Sequence, residues 1–404
     1  MQATFLLGPA GSGKTHRCLA EIRSELLKSP EGLPLVLLAP KQATFQLERQ
    51  LLADPSLPGY TRLQILSFER LAGFILAEFS QSPPELLDEE GRVMVLRALL
   101  ARKQKELKVF RATARLPGFA QQLSLLLREL QRHGQSPEKL FKLADRGNLR
   151  PQLGDKLHDL ALLLRAYLDW LKDRRLQDIN CLLDLAATAL HTKSPAGQTR
   201  PAARFRALWL DGFAEMTPQE LDFLAALAPR CERSTLAFCL DREPPRDLSW
   251  LSTWSVVGQT FRNCYQRLSS LPDYTVAVEL VKRTAGRGRF AGNSVLAHLE
   301  EHWATPGPFE NGPAACSNLR ETLRVAICPG PEAEATLAAR EILRHVRGGG
   351  RYRDCALYLR GRNAQRYVAS LLLKFQCPGR LQSALFRRSV VERSAGSRRA
   401  CASI

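Results

Sequence analysis

The chain has 404 residues, 45 % hydrophobic and 24 % charged, which is enough for two or three domains with real cores. No apolar run approaches the roughly 18 residues that cross a bilayer, and the start is not a basic region followed by an apolar signal segment, so a cytoplasmic location is expected. The formal net charge of +18 suits a polyanionic partner such as nucleic acid better than a small substrate.

Residues 4–7 are a short apolar run that reads as a strand. Gly8-Pro9-Ala10-Gly11-Ser12-Gly13-Lys14-Thr15 then fits G-x-x-x-x-G-K-[ST] at every fixed position, and 16–27 carries helical spacing. Strand, glycine loop and helix in this order are the context of an ATP phosphate site. The loop amides and the helix N-terminus face the phosphates, Lys14 adds a point charge, and Thr15 can hold Mg²⁺.

A second strand is expected at 35–39, closed by Pro40, with helical spacing from 42 to 52. A third is expected at 63–66, followed by a helix from 67 to 79. Gln42, Thr44, Ser67 and Arg70 sit where small polar or basic groups can meet DNA phosphates. A helix N-terminus capped by its own side chains is the competing reading, and Ser67 is the right type for it.

Helical periodicity dominates from 82 to 193, over 86–100, 119–130 and 157–171, punctuated by Pro83-Pro84 and Pro117-Gly118. This stretch reads as an all-helical insertion. Residues 207–210 return to strand character and deliver Asp211, an acid placed to organise Mg²⁺. Gly212 follows it. Thr217-Pro218-Gln219-Glu220 has the form of an N-cap, a first-turn proline and a capping-box acid. A strand is expected at 234–238, and 241–319 is turn-rich. Another α/β unit then reads as strand 323–328, helix 332–346, strand 355–359 and helix 364–375.

Two basic clusters, one at Arg102, Lys103, Lys105, Lys108, Arg111 and Arg115, the other at Lys282, Arg283, Arg287 and Arg289, are candidates for sequence-independent DNA contact; a solvated face is the plainer reading for each residue. The ten cysteines lack zinc-site spacing and read as reduced thiols.

Taken together, the glycine loop, Pro40-Lys41-Gln42-Ala43-Thr44-Phe45 with Glu48, Ser67–Ala72, Asp211-Gly212-Phe213 with Thr217–Glu220, Arg289-Phe290 with Leu296–Glu300, Pro331–Glu334 and Tyr352–Leu357 resemble the N-terminal part of the B subunit of AddAB/RexAB helicase–nucleases. That family is related to the UvrD-like superfamily 1 helicases. The resemblance implies an α/β fold: a RecA-like P-loop parallel-sheet core over 1–80 and 200–275, with the helical insertion at 81–199. A linker and the start of a second RecA-like domain would follow over 276–376. It implies ATP, Mg²⁺ and DNA as ligands and an A subunit as partner, acting on double-strand breaks before homologous recombination.

In the family the nuclease domain and an iron–sulfur cluster lie further on. Residues 377–404 depart from the family pattern and read as a non-native or disordered basic tail, and the chain as a fragment. Gly212 stands where a motor helicase keeps its water-activating glutamate, so poor hydrolysis is expected. A free-standing active motor and a non-enzymatic protein with an idle loop remain the alternatives.

Overall fold

The computed structural model describes residues 1–79, 85–116, 118–145, 150–191, 204–245, 247–283, 289–303, 305–309, 319 and 322–358. The chain divides into two compact units, Met1–Pro306 and Gly307–Ile404.

The first unit opens β1 (Gln2–Gly8), α1 (Lys14–Lys28), β2 (Leu35–Leu38), α2 (Thr44–Leu51), β3 (Leu63–Leu66) and α3 (Phe68–Phe79). A helical stretch follows: β4 (Leu86–Leu87), α4 (Glu89–Lys103), α5 (Phe119–Arg132), α6 (Pro137–Ala144), α7 (Pro151–Arg174), β5 (Gln177–Asp178) and α8 (Leu182–His191). The unit closes with β6 (Phe205–Leu210), α9 (Pro218–Leu227), β7 (Cys231–Cys239), α10 (Ser255–Ser269), β8 (Thr275–Leu280) and α11 (Ser294–Glu301).

Six strands form one sheet in the order β3-β2-β6-β7-β1-β8, every neighbouring pair parallel. A parallel sheet covered by helices on both faces needs apolar residues at odd and even positions alike. That is why β1, β2 and β6 read as continuous apolar runs. Phe5, Leu7, Val36, Leu38, Leu208 and Leu210 pack on one face with α3, α8, α9 and α10. Leu6, Leu35, Leu37, Ala207 and Trp209 pack on the other with α1 and α2.

Between β3 and β6, α4, α5, α6 and α7 build a separate core around Leu96, Leu127, Leu163, Leu164 and Tyr167. Three charged side chains, Arg92, Asp178 and Asp159, are buried against it. Arg92 Nη1 donates to Asp178 Oδ2 at 2.6 Å, and Nη2 donates to Gln131 Oε1 at 2.8 Å. Asp159, also buried, accepts from the amides of Lys108, Val109 and Phe110 at 2.8–3.1 Å and so fixes the turn after α4.

The second unit contributes α12 (Pro331–Arg347), with Glu332 and Glu334 in its first turn and Arg344, His345 and Arg347 in its last, a charge order that complements the helix dipole. The strand expected at 323–328 does not form, and neither does 355–358. A strand needs a neighbour for its amides, and no ladder reaches these residues among those described. Val325 and Ile327 are almost fully exposed as a result. The turn-rich stretch 241–319 also carries α10, β8 and α11, elements not expected from the sequence. The helix expected at 364–375 and the tail at 377–404 lie outside the described residues. No described helix is long and apolar enough to cross a membrane, and the seven described cysteines are free.

Candidate functional site

Six parallel strands bring their carboxyl ends to one edge of the sheet, and the loops that leave them converge there. β1 runs into the loop Gly8–Thr15. Gly8 ends the strand where a β-carbon would collide with the Ser12 side chain and the Val281 carbonyl. Gly13, at φ +94°, starts α1 in a left-handed conformation. The helix is tied down beneath the loop. Glu21 accepts from Trp209 Nε1 of β6 at 2.9 Å and from Thr235 Oγ1 of β7 at 3.2 Å, and Arg17 pairs with Glu279 of β8.

Lys14 folds back over the loop. Its Nζ donates to Gly8 O at 2.6 Å and Pro9 O at 2.9 Å, with Ser12 Oγ at 3.5 Å. Burial lowers the pKa of this ammonium, and the charge of Asp211 is among the groups opposing that shift. Thr15 Oγ1 donates to Asp211 Oδ2 at 2.5 Å, joining the loop to the end of β6 across 196 positions of chain. Burial pushes the Asp211 carboxyl above its ordinary range, against the Thr15 hydrogen bond and the Lys14 charge. A hydroxyl and a carboxylate oxygen side by side are the hard donors that Mg²⁺ takes, and a divalent cation would relieve the cost of burying the carboxylate.

Gly212 has φ +87°, and a β-carbon on it would lie 3.1 Å from Pro40 Cδ. Two glutamates, Glu215 and Glu220, follow it in the sequence. Glu220 is committed to the α9 capping box, accepting from Thr217 N at 2.7 Å while Thr217 Oγ1 accepts from Glu220 N at 3.3 Å, and Glu215 is exposed.

A cavity of about 390 Å³ opens beside the first half of the loop, lined by Pro9, Ala10, Trp254, Arg283, Arg289, Phe290, Leu296, Leu299, Glu300 and Trp303. Two residues of the second basic cluster, Arg283 and Arg289, are therefore not simply a solvated face, and Arg287 lies outside the described residues. Arg283 Nε donates to Ala10 O at 3.0 Å, and Arg289 Nε donates to Glu300 Oε1 at 2.9 Å. Half of the first cluster is spent locally: Lys103 pairs with Glu106, Lys108 with Asp155, and Arg115 donates to Gln104, while Arg102, Lys105 and Arg111 are exposed.

The four DNA candidates divide. Thr44 and Arg70 line one cleft of about 400 Å³ with Phe45, Glu48 and Tyr60. Gln42 is exposed outside that lining. Ser67 is buried at the start of α3, where its Oγ lies 3.5 Å from the Arg70 amide, which is the capping role. Phe45, passed over in the sequence, is 68 % exposed, with the Arg49 guanidinium 5.9 Å from its ring centre. The signal was present in the pattern: Leu47 and Leu51 define the buried stripe of α2, and Phe45 falls off it.

Residues 5–300 match the family model described as "ADDB, N-terminal". The chain belongs to this family. Relatives named as the B subunit of an ATP-dependent helicase/deoxyribonuclease share 36 % identity over 367 residues in Pelotomaculum thermopropionicum, 37 % over 369 in Desulforudis audaxviator and 31 % over 369 in Bacillus subtilis. In each case the match covers 89 % of this chain and 30 % of the relative, so the chain spans about 30 % of the length of these curated AddB-family relatives.

Proposed function

We propose that this chain binds ATP with Mg²⁺ and a stretch of DNA as the helicase-like portion of the B subunit of a helicase/deoxyribonuclease. In this reading it pairs with an A subunit and acts at broken DNA ends before recombination. The first unit is then a RecA-like core carrying the helices α4–α7 as an insertion, and the second is the start of another such domain.

The observation that carries the nucleotide reading is the 2.5 Å hydrogen bond between Thr15 and Asp211. It brings the last residue of the glycine loop onto the acid that follows β6, two strands away from β1 in the sheet, the pairing a metal–phosphate site requires. Thr15 and Asp211 would hold Mg²⁺, which neutralises phosphate charge when bound. The amides of the loop and of the α1 N-terminus hold the phosphates, and Lys14 supplies the counter-charge. With Gly212 after Asp211, the position where a motor helicase keeps its water-activating glutamate holds no carboxylate. Binding without appreciable turnover is the consequence.

Titration of a fluorescent ATP analogue tests this reading. Affinity is expected to fall at least tenfold in Lys14→Ala, and Mg²⁺ is expected to strengthen binding in the parent but not in Asp211→Ala. Equal affinity in all three proteins would overturn it. Turnover of several per second with single-stranded DNA would instead favour an active motor.

A further inference from the structure

A carboxylate stands against the anion-binding loop. Glu300, at the end of α11, has a side chain only 10 % exposed. A β-carbon placed on Gly11, which sits at φ +79°, would lie 2.9 Å from Glu300 Oε1 and 3.3 Å from Oε2. Two arginines hold it there. Arg289 reaches Oε1 at 2.9 Å through Nε and at 2.7 Å through Nη2. Arg283 lies 3.8 Å from Oε2, donates to the Glu300 carbonyl at 3.1 Å, and spans to Ala10 O at 3.0 Å.

Resting on the nucleotide reading above, we infer that Glu300 makes this site select a nucleoside diphosphate over the triphosphate. The amides at the start of α1 take the inner phosphates, so the chain of phosphates ends on the side of the loop's first half. Glu300 occupies that side. It already pairs with Arg289 and draws on Arg283, the two arginines that would otherwise receive an outer phosphate, and it adds one negative charge where a third phosphate would add more. A diphosphate leaves the Glu300–Arg289 pair intact. A triphosphate has to displace the carboxylate or bear its repulsion. Two like charges a few ångströms apart at a partly buried site cost about a factor of ten or more in affinity.

The plain structural account makes Glu300 a clamp that holds Arg283 on the loop, and the two accounts differ in what removal does. In the clamp account Glu300→Gln weakens ADP and ATP alike. In ours, Glu300→Gln tightens ATP by about tenfold and moves ADP by less than about twofold. Arg289→Gln moves the ratio the other way, because it leaves the carboxylate unneutralised beside the loop.

Calorimetric titration of the full chain with Mg-ADP and Mg-ATP, in the parent and both variants, decides between them. ADP binding in each variant reports that the site has folded. An ATP-to-ADP affinity ratio unchanged by Glu300→Gln, or equal weakening of both nucleotides, overturns the inference while leaving the nucleotide site in place. Loss of neither nucleotide in Lys14→Ala would instead remove the nucleotide reading, and this inference with it.

Discussion

Gly212 faces Pro40 so closely that a β-carbon there would stand 3.1 Å from the proline Cδ, and its φ of +87° is one that residues with a β-carbon rarely adopt. Placing a glutamate here is thus more than a single exchange, because the backbone after Asp211 follows a path that suits glycine. Gly212→Glu is expected to lower stability by about 1–3 kcal/mol through left-handed strain and crowding of Pro40. ATPase turnover is expected to stay at the parental level. Urea denaturation with a steady-state ATPase assay checks both, and a tenfold rise in turnover at unchanged stability would sink the argument.

The α9 capping box carries a pH signature. Burial raises the Glu220 carboxyl above its ordinary range, opposed by the hydrogen bonds from Thr217. With the folded value raised, the folded chain holds this proton more tightly than the unfolded chain. The contribution is complete below the unfolded pKa and declines as pH rises through the folded one. Glu220→Gln keeps an acceptor for the cap and removes the titration. The variant should therefore gain on the parent as pH rises from about 4 to 7, by about 1 kcal/mol or less. Parallel melts at both pH values give the difference, and a gap that shrinks toward neutral pH would contradict it.

Much of the core was legible in the sequence because a buried parallel sheet writes itself as solid apolar runs. The stretches 4–7, 35–39, 63–66 and 207–210 lie on β1, β2, β3 and β6, with ends shifted by a residue or two. β8 was not legible. It is an edge strand, half-exposed, and its alternating Thr275-Val276-Ala277-Val278 lies in a stretch dense in turn residues. The apolar alternation of Leu323, Val325 and Ile327 misled in the other direction, since a strand is a property of a pair. At the site, the glycine loop and Asp211 were readable from spacing. The turn of Arg283 and Arg289 onto Glu300 was not, because nothing in a basic cluster says which acid it will face.

Arg92 and Asp178 form an ion pair with both side chains at most 1 % exposed. Removing one partner leaves the other charged and buried, at a cost of about 3–5 kcal/mol, whereas replacing both by apolar groups of similar size is far milder. Arg92→Met and Asp178→Leu are each expected to destabilise the chain by that amount, and the double variant by clearly less than either. Asp178 also accepts from Asn180 N at 2.9 Å and Asn180 Nδ2 at 2.8 Å, against the one further bond of Arg92 to Gln131, so its single variant should be the worse of the two. Additive losses in urea unfolding would show that the pair is not coupled.

The cleft between α2 and β3 supplies the last test, because its residues separate by role. Phe45 offers an exposed ring on which a base can stack, worth about 1–3 kcal/mol when removed, and stacking is insensitive to salt. Arg70, exposed on the same cleft, offers a phosphate contact, whose loss flattens the salt dependence of single-strand binding by about 0.7 in log–log slope. Ser67 is buried in a helix cap and should contribute nothing directly. Fluorescence anisotropy of a labelled single strand across a salt series is expected to show a parallel downward shift for Phe45→Ala, a shallower slope for Arg70→Ala, and the parental line for Ser67→Ala. Affinity lost in Ser67→Ala alone would return the interface to the α3 start and away from the cleft.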